Sequence, residues 1–150
     1  MAKFTIYTDG AARGNPGESA SGFIVISNGR IIARSESYNG HATNNYAEYT
    51  AIINALAWCK DNIADAKGAT IQVYSDSELV VKQLNRMYRI RSDALRVLNK
   101  RANGMAALFG EVRFANVRRE NRFIRLVDHA VNVLLDRVEN GRNAAKEEII

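Results

Sequence analysis

Two short segments of the chain have nearly the same composition, and each contains an aspartate. Residues 6–10 and 73–77 both resemble a β-strand, with a hydroxyl residue before the aspartate and a small residue after it. If the two strands are neighbours and run parallel, Asp9 and Asp76 leave the sheet at the same edge. Two converging carboxylates repel each other unless a cation lies between them. The pair therefore indicates a divalent-metal site.

Two further carboxylates are candidates for the same site. Glu48 lies in the first turns of a predicted helix, and Asp128 lies at the start of the last predicted helix. Mg²⁺ is bound through a few carboxylates and retains several waters, and two such ions can promote phosphodiester hydrolysis. Each residue also has a structural interpretation: Asp9 as a turn former, Asp76 as a helix cap, and the other two as partners of a helix dipole. The four together favour the metal site.

The elements that must position these residues follow from hydrophobic periodicity and turn signals. Strands are predicted at residues 4–9, 22–27, 30–38, 71–75 and 112–117. Helices are predicted from Asn44 or Asn45, either of which can cap, to 62, from Ser77 to 84, from Ser92 to 108, and at 126–138. A hairpin signal at Asn28 and Gly29 predicts antiparallel strands. The helical crossover predicts that the first and fourth strands are parallel neighbours in an α/β fold.

Length and composition predict one globular domain. The chain has 150 residues, 47% hydrophobic and 25% charged, and we divide it into a domain at 1–140 and a frayed polar tail at 141–150. The single cysteine, Cys59, lies in an apolar helical pattern, which predicts a buried thiol and favours a reducing compartment. There is no membrane-spanning run or signal-peptide pattern, so we expect a cytoplasmic protein. No coiled-coil seam is present, so we expect a monomer, and the initial Met1 favours a free-standing protein.

The positive charge favours a polyanionic partner. The net charge is +5 and the pI is about 9.6, and a basic surface binds phosphates through neutralisation and counterion release. The arginines cluster in two groups, although solvated basic faces would explain the same pattern. They are Arg86, Arg89, Arg91, Arg96 and Arg101, then Arg113, Arg118, Arg119, Arg122 and Arg125.

Several motifs together resemble type-1 ribonuclease H over nearly the whole chain. They are residues 8–17 (Thr-Asp-Gly-Ala-Ala-Arg-Gly-Asn-Pro-Gly), 43–49 (Thr-Asn-Asn-Tyr-Ala-Glu-Tyr), 74–77 with 79–84, 117–121, and Asp128 with Asn132 and Asp136. The resemblance implies a mixed five-stranded sheet flanked by helices. It also implies an endonuclease that cleaves the RNA strand of RNA–DNA hybrids with Mg²⁺ or Mn²⁺. The products would carry 5′-phosphate and 3′-hydroxyl ends.

The resemblance also assigns roles to the four carboxylates. Asp9 would bridge two ions with substrate bound. Glu48 and Asp76 would hold the ion near the leaving 3′ oxygen, and Asp128 would hold the ion that positions the attacking water.

Substrate residues are predicted beside the carboxylates. Hybrid recognition must read 2′-hydroxyls on one strand and their absence on the other. Asparagines in the flanking loops offer both donors and acceptors, and a glycine-rich turn lets backbone amides approach the RNA. The predicted substrate-binding residues are Gly14, Asn15, Asn44, Asn45, Ser75 and Gln83.

The chain departs from the family pattern in two places. Only residues 87–91 separate two helices where many members carry a long basic protrusion, so this resembles the form without it. The loop at 118–125 has no histidine, and neither His41 nor His129 occupies that place. This loop also looks longer than usual before Asp128, which leaves Glu120 and Asp136 as alternative fourth carboxylates.

Two other functions are consistent with the sequence. One is a catalytically inert module that binds hybrids or double-stranded RNA. The other is a different nuclease of the same fold, acting on DNA junctions or double-stranded RNA.

Overall fold

A computed structural model describes residues 2–149, with side chains as far as Asn143. In this part of the chain five strands and four helices follow one another. They are β1 (Lys3–Gly14), β2 (Gly17–Ser27), β3 (Arg30–Ala42), α1 (Asn44–Asn62), β4 (Thr70–Ser75), α2 (Glu78–Leu84), α3 (Asp93–Ala106), β5 (Glu111–Asn116) and α4 (Arg122–Ile149). This is the predicted element order.

The five strands form one mixed sheet in the order β3-β2-β1-β4-β5. The chain turns back through two hairpins, so β1 pairs antiparallel with β2 and β2 with β3. The connections through α1 and through α2 and α3 return the chain to the same sheet end, so β4 runs parallel to both β1 and β5. The predicted fold class is confirmed.

The register between β1 and β4 places the two similar segments side by side. Ile6 lies opposite Val73, and Thr8 lies opposite Ser75, which is the last pair of the parallel ladder. Asp9 and Asp76 are therefore the next residues on adjacent strands. The expectation that β1 ends at Asp9 is wrong: the strand continues to Gly14 because β2 pairs with it as far as Gly17.

Two hydrophobic cores lie on opposite faces of the sheet. The larger joins α1, α2 and α3 to the sheet and includes Tyr49, Leu56 and Ile71. The smaller lies between β2 and α4 and consists of Ala20, Ile24, Val127, Val131 and Leu135. The two layers of helices therefore differ in how much apolar side chain holds them to the sheet.

Several helix ends differ from the sequence prediction. The Thr43 side chain, rather than Asn44 or Asn45, caps α1 by accepting a hydrogen bond from the Tyr46 N–H. The last helix begins at Arg122 instead of residue 126, because the Asn121 side chain accepts hydrogen bonds from the N–H groups of residues 123 and 124. The loop predicted at 118–125 is correspondingly shorter, and the long loop before Asp128 is absent.

The C-terminal segment is helical rather than irregular. α4 continues through Gly141 to Ile149, across the predicted boundary at residue 140. The division into 1–140 and 141–150 stays a prediction, but the expected frayed tail is a helix as far as 149.

The prediction of a buried thiol at Cys59 is confirmed. Cys59 is fully buried on α1. Among the described residues, no helix combines the length and the apolar character needed to cross a bilayer.

Candidate metal centre

Three carboxylates converge at the edge of the sheet. Oxygens of Asp9, Glu48 and Asp76 all lie within 4.8 Å of one another. They form the wall of an open cavity of about 450 Å³. The other residues that line this cavity are Gly10, Ala11, Asn44, Asn45, Ser77, Arg119, Ile124 and Asp128.

Glu48 is placed by a close approach between β1 and the start of α1. A Cβ on Gly10 would lie 2.3 Å from the Ala47 carbonyl carbon and 2.5 Å from the Glu48 nitrogen. The Ser21 hydroxyl, from β2, donates a 2.6 Å hydrogen bond to the Ala47 carbonyl oxygen and fixes the same helical turn. The glycine after Asp9 is therefore required for Glu48 to reach Asp9.

Asp76 is placed by the end of β4 and the cap of α2. The Ser75 hydroxyl accepts a hydrogen bond from the Ser77 N–H at 3.1 Å, and the Ser77 hydroxyl accepts one from the Val80 N–H at 3.3 Å. These bonds turn the chain sharply away from the sheet. The carboxylate of Asp76 is left facing Asp9 across the cavity.

Asp128 reaches the cavity from the other face of the sheet. α4 packs closely on β2 because position 22 is a glycine: a Cβ there would lie 2.8 Å from a Val131 methyl carbon and 3.1 Å from one of Val127. Asp128 is exposed and lies outside the three-carboxylate group, but it lines the same cavity and its proximity helps to raise the pKa of Asp9. The structure therefore places all four predicted carboxylates around one cavity.

The two alternative fourth carboxylates lie elsewhere. Glu120 is exposed and is not among the residues that line the cavity. Asp136 forms an ion pair with Arg13, with 2.6 Å between Nη2 and Oδ1. Neither side chain replaces Asp128 in this arrangement.

Burial and mutual repulsion raise the pKa values of the three clustered carboxyl groups. Burial, then the charge of Asp76 and a hydrogen bond with Asp128, raise the pKa of Asp9 from 3.8 to about 8. Burial, then the charge of Asp9, raise the pKa of Glu48 well above its ordinary value. Burial also raises the pKa of Asp76, although the positive charge of Arg119 opposes this. Without a cation, the folded protein therefore pays an electrostatic cost at this site.

The residues present fit a divalent cation. Glu48 is 8% exposed, and its Oε2 atom is buried with no hydrogen-bond partner among the described residues. A buried carboxylate oxygen left unpaired is costly. Carboxylate oxygens in an open, water-accessible cavity are the ligands that Mg²⁺ and Mn²⁺ prefer.

Three of the predicted substrate residues lie at or beside this cavity, one in the turn between β1 and β2 and two in the first turn of α1. The Ala12 N–H donates to Asn44 Oδ1 at 2.8 Å, and the Asn44 N–H donates to Asn15 Oδ1 at 3.0 Å. Asn44 and Asn45 line the metal cavity, and Asn15 and Asn45 line a second cavity beside it. Gly14 precedes Asn15 with a φ of +97°, a conformation that glycine adopts without strain.

Two predicted substrate residues lie inside the protein. Ser75 is fully buried at the end of β4, where its hydroxyl accepts from the Ser77 N–H. Gln83 is buried, and its Oε1 accepts a 2.7 Å hydrogen bond from the Tyr49 hydroxyl. Both are separated from the cavity surface, and the structure gives them structural contacts.

Arg119 is a cavity residue that the sequence did not single out as a site residue. Its Nε atom lies 3.5 Å from Asp76 Oδ2, and its side chain is 87% exposed. The available signal was its place three residues after the end of β5, a strand that neighbours β4, which brings the loop to the carboxylate edge.

The fold and the site together define a class of protein, those built on a mixed five-stranded sheet with a cluster of carboxylates at one edge that could hold a divalent metal. The family model described as RNase H matches residues 1–120. The chain therefore belongs to the RNase H family. The resemblance expected from the sequence motifs is confirmed.

Individual relatives agree with this family. Ribonuclease HI of Halobacterium salinarum is 39% identical over 114 residues, which are 75% of this chain and 55% of that protein. The chain thus spans about half the length of this curated relative. The crystal structure of RNase H1 from the same archaeon is 35% identical, covers 89% of this chain and 98% of that one, and has a TM-score of 0.82. LC11-RNase H1 in complex with an RNA/DNA hybrid is 32% identical, covers 88% and 99% of the two chains, and has a TM-score of 0.75.

Proposed function

We propose that this chain is an endonuclease that hydrolyses the RNA strand of RNA–DNA hybrids, leaving 5′-phosphate and 3′-hydroxyl ends. The observation that carries the proposal is the convergence of Asp9, Glu48 and Asp76 within 4.8 Å in an open cavity. Membership of the RNase H family supports the reaction class. The solved complex of LC11-RNase H1 with an RNA/DNA hybrid supports the substrate class.

Mg²⁺ is the proposed cofactor, with Mn²⁺ as a substitute, and two ions are proposed with substrate bound. Asp9, Glu48, Asp76 and Asp128 would hold these ions. When bound, the ions supply activation of a water and stabilisation of charge on the phosphate. The chain itself contributes a fixed set of carboxylate oxygens on Asp9, Glu48 and Asp76, because burial and the sheet register prevent these three groups from moving apart.

The loop asparagines suit a partner rich in hydrogen-bond acceptors. The Oδ1 atoms of Asn15 and Asn44 already accept backbone hydrogen bonds within the loop. Their Nδ2 groups remain as donors. We propose that Asn15, Asn44 and Asn45 donate to sugar or base oxygens of the hybrid, whereas Ser75 and Gln83 support the strand and helix behind the site.

Arg119 is proposed to contact a phosphate of the substrate. Its guanidinium pairs with Asp76 in the free protein and is otherwise exposed beside the cavity. Cations bound between the carboxylates would neutralise Asp76 and free Arg119 for another anion. A phosphodiester is the anion that the reaction brings to this place.

The first experiment tests the metal site. Asp9→Asn removes a charged ligand with little change in volume, and we expect it to abolish cleavage of a hybrid in Mg²⁺ while the protein stays folded by circular dichroism. Undiminished cleavage by this variant would refute the proposed site.

The second experiment tests the substrate. A hybrid, a double-stranded RNA and a DNA duplex of one sequence are incubated with the protein and Mg²⁺ or Mn²⁺. We expect cleavage of the RNA strand of the hybrid. Tight hybrid binding without cleavage in either metal would indicate an inert binding module, and cleavage of the other duplexes would indicate a different nuclease.

We also propose a cytoplasmic monomer. The buried thiol of Cys59, on which burial raises the pKa to about 12, is a poor nucleophile and fits a reducing compartment without requiring one. Sedimentation at several concentrations tests the monomer, and a second species at micromolar protein would contradict it.

A further inference from the structure

We propose that Arg13 positions Asp128 for metal binding, acting through the side chain of Asn132. The proposal rests on the proposed function, because it concerns how the fourth carboxylate of that site is held. Arg13 is a positioning residue here: it contacts none of the three clustered carboxylates and reaches the site only through a second side chain.

The contacts form a continuous chain from β1 to Asp128. Nη2 of Arg13 donates to the Asn132 carbonyl oxygen at 3.2 Å and to Asn132 Oδ1 at 3.3 Å. Nδ2 of Asn132 donates to the Asp128 carbonyl oxygen at 2.9 Å and to Asp128 Oδ1 at 3.2 Å. Asp128 in turn lines the same cavity as Asp9.

Arg13 determines which way the Asn132 carboxamide points. A guanidinium has only donors, so it selects the carbonyl oxygen of the amide and leaves the NH₂ group facing Asp128. That NH₂ group holds one oxygen of the Asp128 carboxylate. The orientation leaves the other oxygen available toward Asp9 and the cavity.

Arg13 is itself fixed by two more acceptors on α4. Its Nη2 lies 2.6 Å from Asp136 Oδ1, and its Nη1 lies 2.9 Å from Glu139 Oε2. Its side chain is 33% exposed, but those of Asp136 and Glu139 are 60% and 64% exposed, so solvent screens these ion pairs and they restrain Arg13 more by geometry than by charge. Both terminal nitrogens of the guanidinium are therefore engaged by α4.

The sequence spacing of these residues shows why Asp128 needs the contact between Arg13 and Asn132. Arg13 lies four residues after Asp9 on β1, and Asn132 lies four residues after Asp128 on α4. Asp9 with Asp128, and Arg13 with Asn132, are therefore two pairs that both face each other between β1 and α4, four residues apart along each element. Asp128 is exposed on a helix that rests on the smaller core, and the negative charges of Asp9 and Asp76 repel its ionised form. The contact between Arg13 and Asn132 opposes that displacement.

A matched control exists on the same helix. Arg142 pairs with Glu18 and donates to the Tyr38 hydroxyl, which also hydrogen-bonds to Glu18. This group likewise attaches α4 to the sheet, at the hairpin of β2 and β3, but it has no contact with Asn132 or Asp128. Substitution of Arg142 weakens the attachment of the helix without changing the orientation of the Asn132 amide.

The experiment measures binding of Mn²⁺ alone by calorimetry, together with the Mg²⁺ concentration for half-maximal cleavage and the Kd for hybrid. Arg13→Gln and Asn132→Ala are each expected to raise the Kd for Mn²⁺ and the half-maximal Mg²⁺ concentration by about tenfold, the range typical of residues that orient metal ligands. Arg13→Lys is expected to recover part of the loss. Arg142→Gln is expected to leave all three values unchanged.

Two results would overturn the proposal. One is unchanged Mn²⁺ binding by Arg13→Gln, and if hybrid binding were weaker at the same time, Arg13 would be a direct substrate contact. The other is an equal loss in Arg142→Gln, which would indicate general attachment of the helix. If Arg13→Gln does not fold, Asp136→Asn with Glu139→Gln releases Arg13 from its other partners and must raise the Kd for Mn²⁺. Mn²⁺ binding is measured without hybrid, so its outcome is independent of whether the wild-type protein cleaves one.

Discussion

The two sides of the carboxylate site are built in different ways. On the α1 side, Glu48 is buried, and its helical turn lies against the backbone of β1 at Gly10 with no space for a side chain. On the α4 side, Asp128 is exposed, and its helix meets the sheet through valine methyl groups over Gly22. Backbone contact and the larger core fix α1 against the sheet, whereas side-chain packing and polar side-chain contacts fix α4.

The comparison shows which side of the site lowers the stability of the metal-free protein. Glu48 keeps an unpaired buried oxygen, and Asp9 has a strongly raised pKa. The α1 side therefore lowers the free energy of unfolding as long as no cation is bound. Asp128 remains largely hydrated, so its placement costs little and depends on its neighbours. Four predictions separate the two sides, beginning with the largest effect.

Charge removal should affect catalysis more on the α1 side. We expect Glu48→Gln to reduce kcat by about 10³-fold or more, since about 4 kcal/mol of transition-state stabilisation is lost with a buried ligand. We expect about 10²-fold for Asp128→Asn, because a hydrated position admits water in its place. Single-turnover rates on a hybrid measure both, and a larger loss in Asp128→Asn would reverse the comparison.

The backbone contact at Gly10 should tolerate no side chain. A methyl group there would overlap the Ala47 carbonyl, and backbone cannot rotate away as a side chain can. We expect Gly10→Ala to lower the free energy of unfolding by about 3 kcal/mol. Urea denaturation provides the measurement, and a loss below about 1 kcal/mol would show that α1 can move.

The metal-free protein should lose stability as pH rises. The pKa of Asp9 is 3.8 ordinarily and about 8 in the folded protein, so between these values the folded state holds a proton that the unfolded state has released. The free energy of unfolding therefore falls as pH increases from about 4 to about 8. Asp9→Asn should flatten this dependence, as should saturating Mg²⁺ at the upper end. A pH profile that Asp9→Asn leaves unchanged would argue against the raised pKa.

The valine contact at Gly22 should be the most forgiving. A Cβ there meets the ends of two side chains, which can shift by a few tenths of an ångström. We expect Gly22→Ala to cost about 1 kcal/mol and Val131→Ala in the same chain to relieve the overlap. The same double-variant approach offers no relief at Gly10, because no side chain causes that overlap. An equal cost at the two glycines would remove the distinction between the faces.

The convergence of the carboxylates could be predicted from sequence because it depends on topology. Two similar strands joined by a helical crossover must be parallel, so Asp9 and Asp76 fall at one edge whatever the details of packing. Glu48 and Asp128 followed from their places early in two helices. The family resemblance supplied the roles, and the structure supplied the distances.

Other features could not be predicted because they depend on partners distant in sequence. The glycine-rich stretch at 10–17 is typical of a turn, but pairing with β2 extends it as strand. Thr43 caps α1 in preference to the two asparagines that follow it, and the side-chain oxygen of Asn44 instead accepts a hydrogen bond from Ala12 on β1. The first turn of α4 contains arginines at 122 and 125, so its apolar periodicity is too weak to predict a helix there. The relay from Arg13 to Asn132 joins residues 119 positions apart.

The outermost strand of the sheet has a consequence for the colloidal behaviour of the protein. β3 is one edge of the sheet and exposes Ile31 and Ile32, where its register against β2 shifts by one residue. Such an edge is a template for pairing with another copy, and flanking charges prevent it. Arg30 and Arg34 are exposed on either side of the isoleucines and place like charges on any two edges that approach. High salt screens these charges, so self-association of the protein should increase with ionic strength, whereas its attraction to phosphates should decrease.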